Sequence, residues 1–236
     1  MDKKIALITA TGQVINFNNF DPESIRAYDI AWALHNTNRY NGHTPYAWDV
    51  LSHTGLAFLL YVHDVKGKVE TPFSIALMLH DAVEAYLGDL VWAVKSLPIA
   101  AELENLETEI TKVILRRFNI NYDAVEWTVI DRYDHQASYV EVQRFFPDAP
   151  RDCVMGEQYH LDRLPNLSKA KVTDYIEGLR NLCINNQVED INVLFDLPES
   201  LAKRLTEETD SPVSGARQPV QTIEVRETNS VESLTL

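Results

Sequence analysis

Over positions 5–17 the chain reads IALITATGQVINF, two short apolar runs on either side of Thr11-Gly12. That pattern predicts a β-hairpin, the one convincing strand signal in the sequence. From there on, apolar residues recur at helical spacing. Asp21-Pro22-Glu23 offers a cap and a proline for a first helical position, followed by a stripe of Ile25, Tyr28, Ile30-Ala31 and Leu34. A polar connection with two histidines, Arg39 and three asparagines covers 35–43. Thr44-Pro45 then predicts a helix from Tyr46 through Trp48, Leu51 and Leu56 to about His63, ended by Lys66-Gly67-Lys68. Thr71-Pro72 opens a third helix, expected to run on through His80-Asp81 until Gly88 terminates it.

Leu97-Pro98 interrupts the segment LVWAVKS at 90–96. Leu103, Leu106, Ile110, Val113-Ile114 and Phe118 predict an amphipathic helix over 100–118. Asn121 is placed to cap another, with Val125, Val129, Tyr133, Gln136 and Val140 on overlapping faces as far as Phe146-Pro147, and 168–184 reads as one more. Beyond Lys203 bulky apolar residues thin out among Ser, Thr and Pro, the composition of a disordered tail. The expected architecture is all-α: a hairpin over 1–20, a helical domain over 21–202 and a flexible acidic tail over 203–236. The four tryptophans, Trp32, Trp48, Trp92 and Trp127, sit at helical spacings and are assigned to the core.

Composition narrows the functional classes. The chain has 236 residues, enough for one domain with a large core, of which 45% are hydrophobic and 24% charged. A net charge of -14 supplies no surplus of cations for DNA or for an anionic membrane surface, though a few local cations can still hold a small phosphate. Cys153 and Cys183 form no metal-binding spacing and read as ordinary cytosolic thiols. The N-terminus lacks the apolar run of a secretion signal, and no stretch approaches the ~20 apolar residues of a membrane span, so a cytoplasmic protein is expected.

The chemistry sits where the apolar pattern is broken. FSIALML at 73–79 ends in His80-Asp81, with Glu84, Gly88 and Asp89 close behind. Charges taken out of water need partners or a metal, and a core helix has no packing reason to end in an imidazole and carboxylates. On a continuous helix His80 and Glu84 share a face, with Asp81 about 100° round from His80. His53 interrupts the preceding helix, and Asp131 or Asp134 a later one. Two imidazoles and two carboxylates suit one divalent ion such as Mn, Co, Fe, Zn or Mg, and the absence of thiolate ligands argues against a structural zinc.

These residues resemble the metal-binding set of the HD-domain phosphohydrolase superfamily. HDAVEAYLGDLVWAVK, at 80–95, is similar to the HDxxExxxGD…K signature of its bacterial 5′-deoxynucleotidase branch, which includes phage dATP triphosphohydrolases. The resemblance covers about 5–146. It implies an all-α fold in which His53, His80, Asp81 and Asp134 hold the metal, with Asp131 the alternative to Asp134. It implies further that Glu84 orients or deprotonates the attacking water and that Asp89 acts near the sugar or as a second acid/base group. Arg39 and Lys95 would grip the substrate phosphate. Tyr40 stands where the deoxynucleotidases carry a tryptophan that excludes the ribose 2′-hydroxyl, and His43 lies close enough to contact phosphate or base. His63, His135 and His160 are left as structural or surface residues.

The implied activity is hydrolysis of the 5′ phosphate of nucleoside monophosphates. Release of triphosphate from a dATP-like substrate is one alternative, and a non-catalytic nucleotide-sensing module is another. The implied partners are a small nucleotide substrate and a second copy of the chain. A phage-encoded member would work in the host cytoplasm.

Overall fold

The computed structural model describes residues 6–150 and 167–210. They form a mostly helical fold with a two-stranded antiparallel hairpin in front. β1 (Ala6–Ile8) and β2 (Val14–Asn16) pair with Leu7 opposite Ile15, and Gly12 turns the chain at a φ of 85°. Ile15 is fully buried. Thr11 ties the hairpin down, donating from its amide and its hydroxyl to the Asp29 carboxylate at 2.7 Å each.

Asp29 belongs to α1 (Ala27–Asn36); Asp21 and Pro22 open only a single 3-10 turn, Pro22–Ser24, and the extended Ile25 and Arg26 separate it from α1, which therefore starts later than the cap suggests. α2 (Val50–Asp64) starts four residues later than the sequence suggests. Thr44-Pro45 does not open it, because Asp49 makes the stronger cap: its buried carboxylate accepts from the amide and the hydroxyl of Ser52 at 2.8 and 2.7 Å. The preceding chain is held open instead, with Arg39 N bonded to Trp48 O and Val50 N to Thr37 O. The connection before it is therefore pinned across the start of α2.

α3 (Thr71–Met78) is the shortened form of the third expected helix. The sequence suggests a helix running on to Gly88, but it stops before His80. His80 Nδ1 donates to Leu77 O at 2.7 Å, and the Tyr175 hydroxyl donates to Met78 O. Those are the carbonyls that a continuing helix would need for its next amides. The chain tightens into i−3 bonds, Ala82 N to Leu79 O and Glu84 N to Asp81 O, before α4 (Glu84–Leu87). Gly88, at φ 83° and ψ 162°, ends α4 as expected.

The remaining described elements are α5 (Trp92–Lys95), α6 (Ala101–Arg117), α7 (Trp127–Phe145), α8 (Val172–Asn185), α9 (Ile191–Leu194) and α10 (Glu199–Asp210). Asn121 caps a 3-10 turn, Tyr122–Ala124, rather than α7 itself. α2 lies along α7, α3 against α8, and α1 against α2, α4 and α8. Between them Ile30, Leu34, Leu51, Ile75, Leu77, Ile114, Phe118 and Tyr133 are almost fully buried.

Two sequence expectations change. α10 carries the helical chain past the expected boundary at Lys203, and Leu201 and Leu205 on it are buried. Trp92 is not core: it is 60% exposed. Trp48 is core, and Trp32 and Trp127 are partly buried. Cys183 is buried, with its thiol pushed up to about 12 by burial. Cys153, His160 and the tail over 211–236 lie outside the described residues. No helix among the described residues is long and apolar enough to cross a membrane.

Candidate metal centre and the cleft beside it

α2, the turn after α3, and α7 each deliver one polar side chain to a common point. His53 Nε2 lies 2.8 Å from Asp134 Oδ1, and the rings of His53 and His80 are 5.7 Å apart. One atom each from His53, His80 and Asp134 falls within 4.8 Å of the others, which is close enough for a single cation to bind all three. Asp134 is thus the α7 carboxylate at the centre; Asp131, one turn earlier, is exposed.

Asp81 stands outside that closest set but touches both imidazoles. Its Oδ2 is 3.2 Å from His80 Nε2 and 3.7 Å from His53 Nε2. The broken helix explains how: unwinding at 79–83 lets neighbouring side chains converge that a regular helix would hold about 100° apart.

Two observations fit these residues to a cation. His80 Nε2, Asp81 Oδ2 and Glu84 Oε2 are buried and have no aligned hydrogen-bond partner among the described residues. The 3.2 Å approach of His80 to Asp81 is close without being directed, so it leaves both atoms available to a ligand. The second observation is that each imidazole has its other nitrogen occupied. Nδ1 of His53 faces Glu141 Oε1 at 2.8 Å, and Nδ1 of His80 donates to a backbone carbonyl. This arrangement fixes the ring tautomer and turns Nε2 inward, as at histidine metal ligands.

The electrostatics follow the geometry. Burial and Arg39 oppose a charge on His53, but Glu141 and Asp134 together push it up to about 10. Burial opposes ionisation of Asp81 and Asp134 as well, yet the two histidines hold both carboxyls below the usual range. Glu84 behaves in the opposite way: burial, then the charges of Asp81 and Asp89, hold its carboxyl well above the usual range. Burial also raises Asp89. Two carboxyls poised as proton carriers therefore sit beside two held as anions.

A cleft of about 390 Å³ opens next to this centre. Arg39, Tyr40, Asp81, Glu84, Asp89, Lys95 and Asp134 all line it, so most of the sequence-derived residues come together. His43 does not; it is exposed and outside the lining. Lys95 is less free than expected, 3.2 Å from Glu107 Oε1 against 4.0 Å from Glu84 Oε1. Trp92 and His135 also line the cleft, neither of which was assigned to it from the sequence.

The residue least visible in the sequence is Glu141, on α7 and wholly buried. Trp48 Nε1 donates to its Oε1 at 2.7 Å, and Arg39 Nε and the Tyr40 hydroxyl donate to its Oε2 at 3.1 and 2.9 Å. Arg39 also donates to Ser138 at 3.0 Å. The signal for Glu141 in the sequence is its place two turns after Asp134, at the end of DHQASYVE (134–141), the stretch whose fit to the family's Asp-containing helix favours Asp134 over Asp131.

No family model matches the chain. It is similar to an uncharacterized protein of Rhodobacter capsulatus, 31% identical over 112 residues, which is 47% of this chain and 56% of that protein. The match spans about half the length of that curated relative.

Proposed function

We propose that the chain is a metal-dependent phosphohydrolase that cleaves the 5′ phosphate of nucleoside monophosphates. The observation that carries this reading is the meeting of His53, His80 and Asp134 at one point, beside a cleft lined with Arg39 and Lys95. A divalent ion held by those three residues, with Asp81 beside them, would supply Lewis acidity and activate water at neutral pH.

The protein's own groups supply the rest. The planar guanidinium of Arg39 suits paired hydrogen bonds to phosphoryl oxygens, and Lys95 adds a point charge on the same side. Glu84 Oε2, buried and without a hydrogen-bond partner, is placed to orient the attacking water, and would take its proton once a cation offsets the Asp81 charge that helps raise the Glu84 carboxyl. The bond from phosphorus to the 5′ oxygen breaks, and Asp89, whose carboxyl burial raises above the usual range, is placed to give a proton to the leaving oxygen. Tyr40 spends its hydroxyl on Glu141, so what it offers the cleft is ring.

The test is a substrate panel. The purified chain is given Mn²⁺ or Co²⁺ and assayed for phosphate and for triphosphate across nucleoside mono- and triphosphates. Phosphate from monophosphates is expected; triphosphate alone would move the substrate to nucleoside triphosphates. Glu84→Gln should keep the metal and lose rate by roughly 10²–10⁴-fold. Asp81→Ala should lose both, and full turnover by that variant would sink the metal assignment.

A further inference from the structure

Glu141 divides its two oxygens between two parts of the site. Oε1 takes Trp48 and faces the ring of His53, on the metal side. Oε2 takes Arg39 and Tyr40, on the side of the cleft. The segment on that second side would not hold its shape unaided. Tyr40 and Asn41 both adopt left-handed backbone, at φ 56° and 49°, and Gly42 follows at 74°. Residues with a Cβ avoid that region, and two in succession persist only where surrounding contacts over-determine them. The Tyr40 hydroxyl bond to Glu141 is such a contact, backed by the edge of its ring against Phe146.

We propose that Glu141 is a positioning residue that joins the metal ligand His53 and the anion-binding Arg39–Tyr40 arm into one unit, so that neither half is held in place without it. This rests on the proposed function for the roles of His53 and Arg39, and adds a dependence between them that no direct contact provides. Other roles for the same carboxylate would leave different marks. If Glu141 only contributed charge, removing it would strengthen anion binding, because it competes for the Arg39 guanidinium. If it only filled space, its loss would lower the melting temperature and leave the binding constants of folded protein unchanged. Positioning gives a third result: anion and metal both bind more weakly.

The experiment is titration calorimetry of the full chain with Mn²⁺, then with inorganic phosphate at saturating Mn²⁺. Glu141→Gln should weaken Mn²⁺ binding by about 10-fold or more, the usual consequence of losing the partner of a metal-bound histidine. It should weaken phosphate binding as well, although Glu141 is shielded from the cleft. Tyr40→Phe removes one hydroxyl and keeps the ring. It should weaken phosphate binding severalfold, and the double variant should bind phosphate no worse than Glu141→Gln alone.

Unchanged or tighter phosphate binding by Tyr40→Phe overturns the proposal, including the case in which Glu141→Gln does not fold. Additive effects in the double variant overturn it too, as does a wild-type chain that takes Mn²⁺ and then no phosphate. Turnover is not read, so wild-type protein that binds both but hydrolyses no nucleotide would sink the proposed function and leave this coupling standing.

Discussion

His53 faces a carboxylate oxygen at 2.8 Å from each of its ring nitrogens. A proton on both nitrogens satisfies that geometry, and the group is accordingly held up to about 10 against about 6.5 in an unfolded chain. With a raised folded value, its contribution to the stability of metal-free protein is complete below about pH 6.5 and is lost as pH climbs through about 10. A cation needs the Nε2 lone pair, so binding must expel that proton. Mn²⁺ affinity should therefore rise by about tenfold per pH unit between about 6.5 and 10, with at least one proton released. Calorimetry in two buffers of different ionisation heat measures the release, and a flat pH profile would remove His53 from the ligand set. His53 and His80-Asp81 were legible because they break an apolar pattern; the pattern left Asp131 and Asp134 open, and only the family resemblance favoured Asp134. Glu141 was noticed only as part of the family-like stretch DHQASYVE; its role was not legible, because α7 mixes polar and apolar positions and nothing local shows that Arg39, Tyr40, Trp48 and His53 converge on it.

At the scale of elements, proline and glycine punctuation located most helices, and failed where another side chain, near or distant, competed for the backbone. Thr44-Pro45 looks like a helix start, but the buried Asp49 cap decides where α2 begins. The apolar run into His80 looks like one long helix, but Tyr175, 97 residues away from Met78, takes the carbonyl that would continue it. Asp49 is a local signal that the Thr44-Pro45 pair outranked in the sequence, whereas Tyr175 lies far outside the window that periodicity reads. Gly88 is different, a local requirement correctly read. Its φ of 83° and ψ of 162° belong to a region open almost only to glycine, and a Cβ there would meet nothing within 4 Å. Gly88→Ala should therefore destabilise the protein by roughly 1–3 kcal/mol through backbone strain alone, measurable by urea unfolding. Because Asp89 comes next, the rate should fall too; an unchanged melting curve would mean the turn tolerates another conformation.

At the scale of the whole molecule, the all-α class, the leading hairpin and a helix near 168–184 were legible, while α9 and α10 were not individually read. α8, α9 and α10 lie beyond the stretch over which the family resemblance runs, yet Leu179, Leu194 and Leu201 are fully buried in the common core. A chain cut after position 150 should retain every proposed ligand and lose Mn²⁺ binding and its cooperative melt, which calorimetry and circular dichroism would check. Retention of both would show that 167–210 is dispensable. The milder Tyr175→Phe keeps the packing and removes one hydroxyl, so it separates loss of the core from loss of the bond to Met78. That bond makes the unwound turn behind the candidate metal centre depend on a helix that contributes no group to it. Sites of this kind cannot be transplanted by copying their motif: a design that grafted 80–89 onto another helical scaffold, without a hydroxyl to hold the Met78 carbonyl, would regrow the missing helical turn and point His80 and Asp81 in different directions.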